Sequence, residues 1–247
     1  MKSKLLHIKK KQSGRDSDGH VSVRHRGGEH KRYIRLVDWQ RPKIDVTALV
    51  TAIEYDPNRT ANLAYLTYAD GSKSYILATV NMKVGDKVVY SVTAPIKEGN
   101  KLPLSQIPVG MAIHNLEFRP NSKAQIIKSA GSAAFIQSID GDKVTIKLPS
   151  GELRLFSSKC TATIGQVGNV NHSNEKLTKA GDSRHRGIRP SVRGVAQNPH
   201  SHPHGGGEGR SSIGMNPKTP WGKPAMGKKT RKRKNKSNRL IVSHRTK

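Results

Sequence analysis

The sequence predicts an all-β middle, two small antiparallel barrels in tandem, held between two basic arms. Three observations predict it. Short β-branched runs separated by tight-turn residues recur from Ile44 to about Ser157. No long stretch holds a 3.6-residue apolar period, which argues against a helical bundle. Charge is concentrated at the ends: residues 1–35 carry 11 basic and 3 acidic side chains, residues 36–172 carry 15 and 11, residues 173–208 carry 6 and 3, and residues 209–247 carry 13 and none. The near-balanced middle can pack, whereas the ends repel themselves and need counter-charge.

The elements follow in order. IDVTALVTAIEY reads as the first strand, ended by the turn Asp56-Pro57-Asn58. NLAYLTYA alternates as a strand should, Asp70-Gly71 supplies a hairpin turn, and SKSYILAT runs back. KVVYSVT follows Val84-Gly85-Asp86. A second unit is expected after a hinge-like KLPLSQIPVG: AAFIQSI, KVTIKL and ELRLFS, separated by Asp140-Gly141-Asp142 and Pro149-Ser150-Gly151, form a meander. The reading divides the chain into an arm 1–33, barrels 34–105 and 106–172, and an arm 173–247. Beyond Asn171, Gly, Pro, His, Asn, Ser, Lys and Arg dominate, so that arm is expected to be extended or disordered until bound.

A net charge of +28 on 247 residues demands a polyanionic partner. The single cysteine, Cys160, excludes an internal disulfide and a Cys-rich zinc site, and fits a reducing compartment. No apolar run reaches membrane-span length. Met1 to Gln12 lacks the apolar stretch of a secretory signal; its lysines suit either a basic targeting stub or RNA.

Four stretches carry candidate chemistry. In VRHRGGEHKR, Arg24, Arg26, Lys31 and Arg32 surround Gly27-Gly28, glycines that let backbone approach phosphate. In EYDPNR the turn presents Arg59, whose planar fork suits phosphate or a base edge. In HSHPHGGGEGR, His200, His202 and His204 with Glu208 invite a metal reading, but no scaffold is visible to converge them. Ser201 beside His202 makes a poor nucleophile–base pair, since neighbours on an extended chain point apart. Imidazoles and close-approaching Gly205, Gly206 and Gly207 beside RNA fit better, with Arg210 as a further phosphate contact. The fourth comprises KCTATIGQVGN and AGDSRHRGIRPSVRG. Gly there alternates with Arg184, Arg186, Arg189 and Arg193, as suits backbone threaded between RNA helices. The tail run GKKTRKRKNK adds Lys228, Lys229, Arg231, Lys232 and Arg233 as phosphate neutralisers.

Taken in order, VRHRGGEHKR, IEYDPNRTA, LPLSQIPVGMAIHNLEF, SAGSAAF, LPSGELR, ATIGQVGN, RPSVRGVAQNP, HPHGGGEGR and TPWGKP resemble the bacterial-type large-subunit ribosomal protein 2 family, from about Gly14 onward. The resemblance implies that the first barrel is of the OB type and the second SH3-like, with arms buried in ribosomal RNA. It implies direct binding of large-subunit ribosomal RNA, neighbouring ribosomal proteins, a bridge to the small subunit, and a His-Gly extension directed towards the peptidyl-transferase centre. Arg41, Lys43, Arg59 and Lys128 stand where the family contacts RNA, Lys128 in place of the usual Arg. His202 matches an extension histidine discussed for peptide-bond formation, but Ser201 replaces the usual Asp before it. His185-Arg186 replace a usual Trp-Leu, and the N-terminal arm is shorter than typical. KIDVTALVTAIEYDPNRTA and WGKPAMGKKTRKRKNKSN look most like the alphaproteobacterial and mitochondrial branch, which favours a mitochondrial ribosome over a bacterial cytoplasm.

The leading expectation is therefore a structural ribosomal protein, not an enzyme, with no cofactor beyond Mg2+ that the RNA itself would carry. A metal-dependent hydrolase on His200, His202, His204 and Glu208 is one alternative, separable by metal content. A general nucleic-acid compactor is the other, separable by comparing folded ribosomal RNA with random duplex DNA.

Overall fold

The structure is a computed structural model that describes residues 2–245. The chain forms two compact units. The first takes the segment up to Lys9, Lys31–Lys176 and the chain from Ser237 onward; the second takes Lys10–His30 and Leu177–Lys236.

The first unit holds two larger sheets and two two-stranded pairs. It begins with β1 (Leu6–Ile8), paired antiparallel to β2 (Tyr33–Arg35). Then come β3 (Ala48–Glu54), β4 (Leu63–Tyr68), β5 (Lys73–Leu77) and β6 (Lys87–Val88), arranged β5-β4-β3-β6 with every neighbour antiparallel. The predicted Asp70-Gly71 turn closes the β4–β5 hairpin, Gly71 lying at φ +74° and donating its N–H to the Tyr68 carbonyl at 3.0 Å. The central strand β4 is covered on both faces. Ala64, Leu66 and Tyr68 join Val50, Ile76 and Val88 on one side, while Leu63 and Tyr65 join Tyr75, Leu77 and Val167 on the other. A strand's two-residue side-chain period makes that division, and it explains why NLAYLTYA is apolar at nearly every position.

The second sheet comprises β7 (Lys101–Pro103), β8 (Ala112–His114), β11 (Ala134–Asp140), β12 (Lys143–Lys147), β13 (Leu153–Ser157), β14 (Thr161–Ile164) and β15 (Ile241–Ser243). Their order is β15-β13-β12-β11-β8-β14-β7. Between β8 and β11, β9 (Leu116–Glu117) and β10 (Ala124–Ile126) form a separate pair. The predicted meander is β11–β12–β13, turned at Gly141 and Gly151, both at positive φ. Leu102, Leu104, Ile107, Ile113, Leu116, Ile136, Val144 and Ile146 form the largest apolar core here.

Four sequence expectations need correction. KVVYSVT is a strand only over Lys87–Val88. Beyond it the chain turns to β7, Lys101 donating to the Val89 carbonyl at 3.0 Å and Ser91 to the Lys101 carbonyl at 3.3 Å. KLPLSQIPVG is not a hinge. Lys101–Pro103 is β7 and pairs with β14, while Leu104 and Ile107 are buried, so the second sheet begins at Lys101 rather than after residue 105. KCTATIGQVGN is not a threaded arm either: Thr161–Ile164 is a fully buried strand between β8 and β7, and its Thr and Gly content concealed that. Finally, the arms do not stay extended throughout. Leu6–Ile8 pairs with β2, and Ile241–Ser243 pairs with β13 at the edge of the second sheet.

The second unit has one short helix, α1 (Ala180–His185). Its remaining order comes from backbone hydrogen bonds and glycine turns. Segments of the two arms meet there: the Gly27 N–H donates to the Gly187 carbonyl at 2.9 Å, Arg189 to His25 at 3.1 Å and His30 to His185 at 3.1 Å. Gly27 and Gly187 are both buried at positive φ, and a Cβ on Gly187 would lie 3.0 Å from the Glu29 side chain.

Candidate nucleic-acid interface

The most organised group of cations lies in the first unit, where the connections after β2, β3 and β10 contribute. Asp56 is fully buried at the end of β3 and organises the turn that follows. Its Oδ1 accepts from the Asn58 N–H at 3.0 Å and from Asn58 Nδ2 at 3.1 Å, and its Oδ2 accepts from Arg59 Nε at 2.6 Å. Arg35 lies 3.8 Å from the same carboxylate, and Arg32 donates to the neighbouring Pro57 carbonyl at 3.1 Å. The sequence alone suggests a rigid turn that projects Arg59 from the end of a hairpin. In the structure the Nε edge of Arg59 is committed to Asp56, and its guanidinium carbon stands 5.3 Å from the ring centre of Trp39.

Lys128 reaches the same indole from beyond β10, its Nζ 4.1 Å from the ring centre. Burial pushes the Lys128 ammonium below its ordinary pKa, and the nearby Arg59 charge adds to the shift. The residue before it, Ile127, is buried at φ +58°, where its carbonyl accepts the Asn115 N–H at 2.9 Å. A β-branched side chain in the left-handed region costs about 1–2 kcal/mol, so packing and that hydrogen bond must hold it there. Two cations remote in sequence, Arg59 and Lys128, thus converge on Trp39. The indole's negative face offsets part of their repulsion.

The other two positions matched by resemblance are placed differently. Arg41 is 4% exposed; its Nη1 donates to the Gly99 carbonyl at 2.7 Å, in the connection that leads to β7. Burial pushes its pKa down to about 10 against the opposing influence of Tyr68 and Asp38. Here Arg41 ties the β2–β3 connection to the β6–β7 connection instead of offering a surface charge. Lys43 binds Asp70 and Ser72 and lies 4.7 Å from the Tyr68 ring centre, leaving it partly exposed beside the β4–β5 turn.

A further ion pair went unpredicted. Lys101 Nζ meets Glu117 Oε1 at 3.0 Å with both side chains almost wholly buried, and also donates to the Gln40 carbonyl at 2.6 Å. Glu117 Oε2 accepts the Thr161 N–H at 3.2 Å. Burial drives the Lys101 pKa down and Glu117 opposes it, so the pair joins β7, β9 and β14.

In the second unit Arg24, Arg26, Arg184, Arg189, Arg193 and Arg210 are exposed, as are Lys228, Lys229, Arg231, Lys232 and Arg233. Lys31, in the first unit, is exposed too. The His-Gly stretch is a built loop, contrary to its scaffold-free appearance in sequence. His202 donates its N–H to Asn198 at 3.2 Å, and Gly206 donates to Gln197 at 3.2 Å. Gly205 sits so close that a Cβ would lie 2.5 Å from the Gln197 oxygen, and a Cβ on Gly194 would strike the His202 ring at 2.6–2.8 Å. His202 is therefore 8% exposed, and burial, His204 and Arg24 together lower its pKa. Its Nδ1 accepts the His204 N–H at 3.0 Å, which fixes a neutral ring with the proton on Nε2. His204 Nε2 in turn accepts the Lys218 N–H at 2.9 Å. The histidines thus serve as hydrogen-bond acceptors inside the loop. Gly207, at φ +90°, closes it towards Ser211.

Among the described residues no three His, Cys, Asp or Glu side chains gather as a metal site, and no helix is long and apolar enough to cross a membrane. Comparison with family models gives two matches. Residues 2–90 match the Ribosomal Proteins L2, RNA binding N-terminal domain, and residues 97–222 match the Ribosomal Proteins L2, C-terminal domain. The first is an OB-type fold, consistent with the β3–β6 sheet. The chain belongs to the ribosomal protein L2 family, and it is a ribosomal-RNA-binding structural component of the large ribosomal subunit.

Proposed function

We propose that the chain grips large-subunit ribosomal RNA at the Trp39–Arg59–Lys128 cluster and spreads its exposed arm cations over neighbouring phosphates. The observation that carries this reading is the convergence of Arg59 and Lys128 on one indole, with Arg59 oriented by buried Asp56. A guanidinium held along its Nε edge keeps its terminal nitrogens oriented for a phosphate or base edge, which lowers the entropy lost on binding. Lys128 adds a point charge where Arg would add a second fork.

Within this reading the second sheet is the SH3-like barrel, and Arg41 and the Lys101–Glu117 pair hold the two barrels in register for RNA. The His202 loop supports the RNA of the peptidyl-transferase centre by shape, without acid–base chemistry of its own, since Ser201 supplies no carboxylate and the ring sits neutral. A contact with the small subunit and a mitochondrial setting complete the proposal; the latter rests on the alphaproteobacterial and mitochondrial likeness of KIDVTALVTAIEYDPNRTA.

The test is affinity of the full chain for large-subunit ribosomal RNA across a salt series. Arg59→Lys should weaken binding roughly 5- to 10-fold while leaving the log–log salt slope nearly unchanged, because charge is kept and the fork removed. Lys128→Gln should reduce the slope by about 0.7–0.9. If both variants bind like wild type at every salt concentration, the cluster is not the RNA grip.

A further inference from the structure

We propose that Trp221 is a stacking platform for an unpaired RNA base, displayed on a hairpin of the C-terminal arm and backed by Arg24 from the N-terminal arm. This rests on the RNA-binding reading above but concerns a different unit and a different kind of contact.

Trp221 is 73% exposed, and it is the only Phe, Trp or Tyr between Leu177 and Lys236. Such exposure is unusual for the side chain with the most apolar area to bury. Its display is built. Thr219-Pro220-Trp221-Gly222 is a β-turn in which Gly222 donates to the Thr219 carbonyl at 2.9 Å, with proline preset at the second position. Gly222 follows at φ +75°, and Lys223 donates its N–H to Thr219 Oγ1 at 3.2 Å. The flanks close through the Thr219 N–H to Lys223 carbonyl bond at 2.8 Å, the Lys218–Pro224 bridge and the Ala225 N–H to Pro217 carbonyl bond at 2.9 Å. The Lys218 N–H donates to His204, which fastens the hairpin to the His-Gly loop.

The surroundings select the ligand. The Arg24 guanidinium carbon stands 5.4 Å from the Trp221 ring centre, a cation–π contact that leaves most of the indole open. Lys218 and Lys223 flank the turn, and no acidic residue occurs from Gly209 onward. An apolar protein surface would gain nothing from that charge. A nucleobase brings a π face for the indole and phosphates on either side for Arg24 and the lysines.

Two measurements on the full chain test the assignment. Because the chain has two tryptophans, the emission that the native chain shows and Trp221→Phe lacks reports Trp221 alone. Titration with a single-stranded 12-nucleotide adenosine oligomer should quench it, whereas an abasic oligomer with the same phosphates should not. In the native chain the intact oligomer should bind roughly 5- to 100-fold tighter than the abasic one. Trp221→Ala should erase that advantage without changing the salt slope, and Trp221→Phe should keep most of it. Equal affinity for the two oligomers, or unquenched Trp221 emission, overturns the proposal. If ribosomal RNA binding still depends on Arg59 and Lys128 in that case, only the Trp221 assignment fails. If the native chain binds neither ribosomal RNA nor oligomer, the RNA grip and the stacking platform fall together.

Discussion

The sheet-bearing unit and the unit built from the arms hold their cations by different means. In the first, apolar clusters on both faces of β4 and across the second sheet fix the backbone, and the charges are mounted on it by buried partners such as Asp56, Gly99 and Glu117. In the second, the order comes from backbone hydrogen bonds, positive-φ glycines and a few side-chain acceptors such as His202, His204 and Thr219, and no residue of the apolar clusters belongs to it. The lesson is that several cations of the first unit are oriented by buried partners, Arg59 among them, whereas most cations of the second are exposed.

The largest effect that would break this contrast concerns the buried pair. Glu117→Ala leaves the Lys101 ammonium without its carboxylate, and urea unfolding should show a loss of about 3–5 kcal/mol. Replacing both partners by apolar residues should recover much of it. A Glu117→Ala chain as stable as wild type would remove the claim that this buried pair is structural.

Next comes His114, buried at 1% exposure with its Nδ1–H donating to the Gly165 carbonyl at 2.8 Å. Burial lowers its pKa from 6.5 to about 4. Below pH 6.5 the unfolded chain takes up a proton that the folded chain refuses until about pH 4. Stability from this residue is therefore lost as pH falls through that window, by about 3 kcal/mol in all. Denaturant unfolding at pH 7.5 and pH 4.5 should show the decline, and His114→Gln should flatten it.

Smaller effects belong to the arm unit. Gly194→Ala drives a methyl into the His202 ring, so proteolysis within residues 190–210 should quicken by roughly tenfold, while the urea midpoint of the sheet unit moves by less than about 0.5 kcal/mol. Smallest for stability is Lys228→Gln with Lys229→Gln. Melting should not change, but the salt slope of RNA binding should fall by about 0.7–0.9 for each phosphate no longer neutralised.

Much of the first unit was legible because its strands carry two-residue alternation and its turns carry Gly, Asp and Pro. Asp70-Gly71 and Asp140-Gly141-Asp142 placed two hairpins. β14 was not legible, since Thr161 and Thr163 are buried by a register that only β7 and β8 define. Arg59 could be singled out from its turn. Its partner Trp39 carried only the weak signal of an aromatic among basic residues, and the approach of Lys128 depends on strands distant in sequence. Arg41 shows the converse, an arginine selected by resemblance that the fold uses internally. The His-Gly loop looked unscaffolded because much of its scaffold is main chain, the carbonyls of Gln197 and Asn198, and the rest depends on which backbone N–H groups meet His202 and His204 in space.

The most direct test of the account is a double-mutant cycle on ribosomal RNA affinity with Arg59→Lys, Lys128→Gln and the pair together. A preorganised cluster predicts that the two losses are coupled by about 1 kcal/mol or more, because both side chains share the Trp39 ring. Losses that add within about 0.3–0.5 kcal/mol would show two independent surface charges and contradict it.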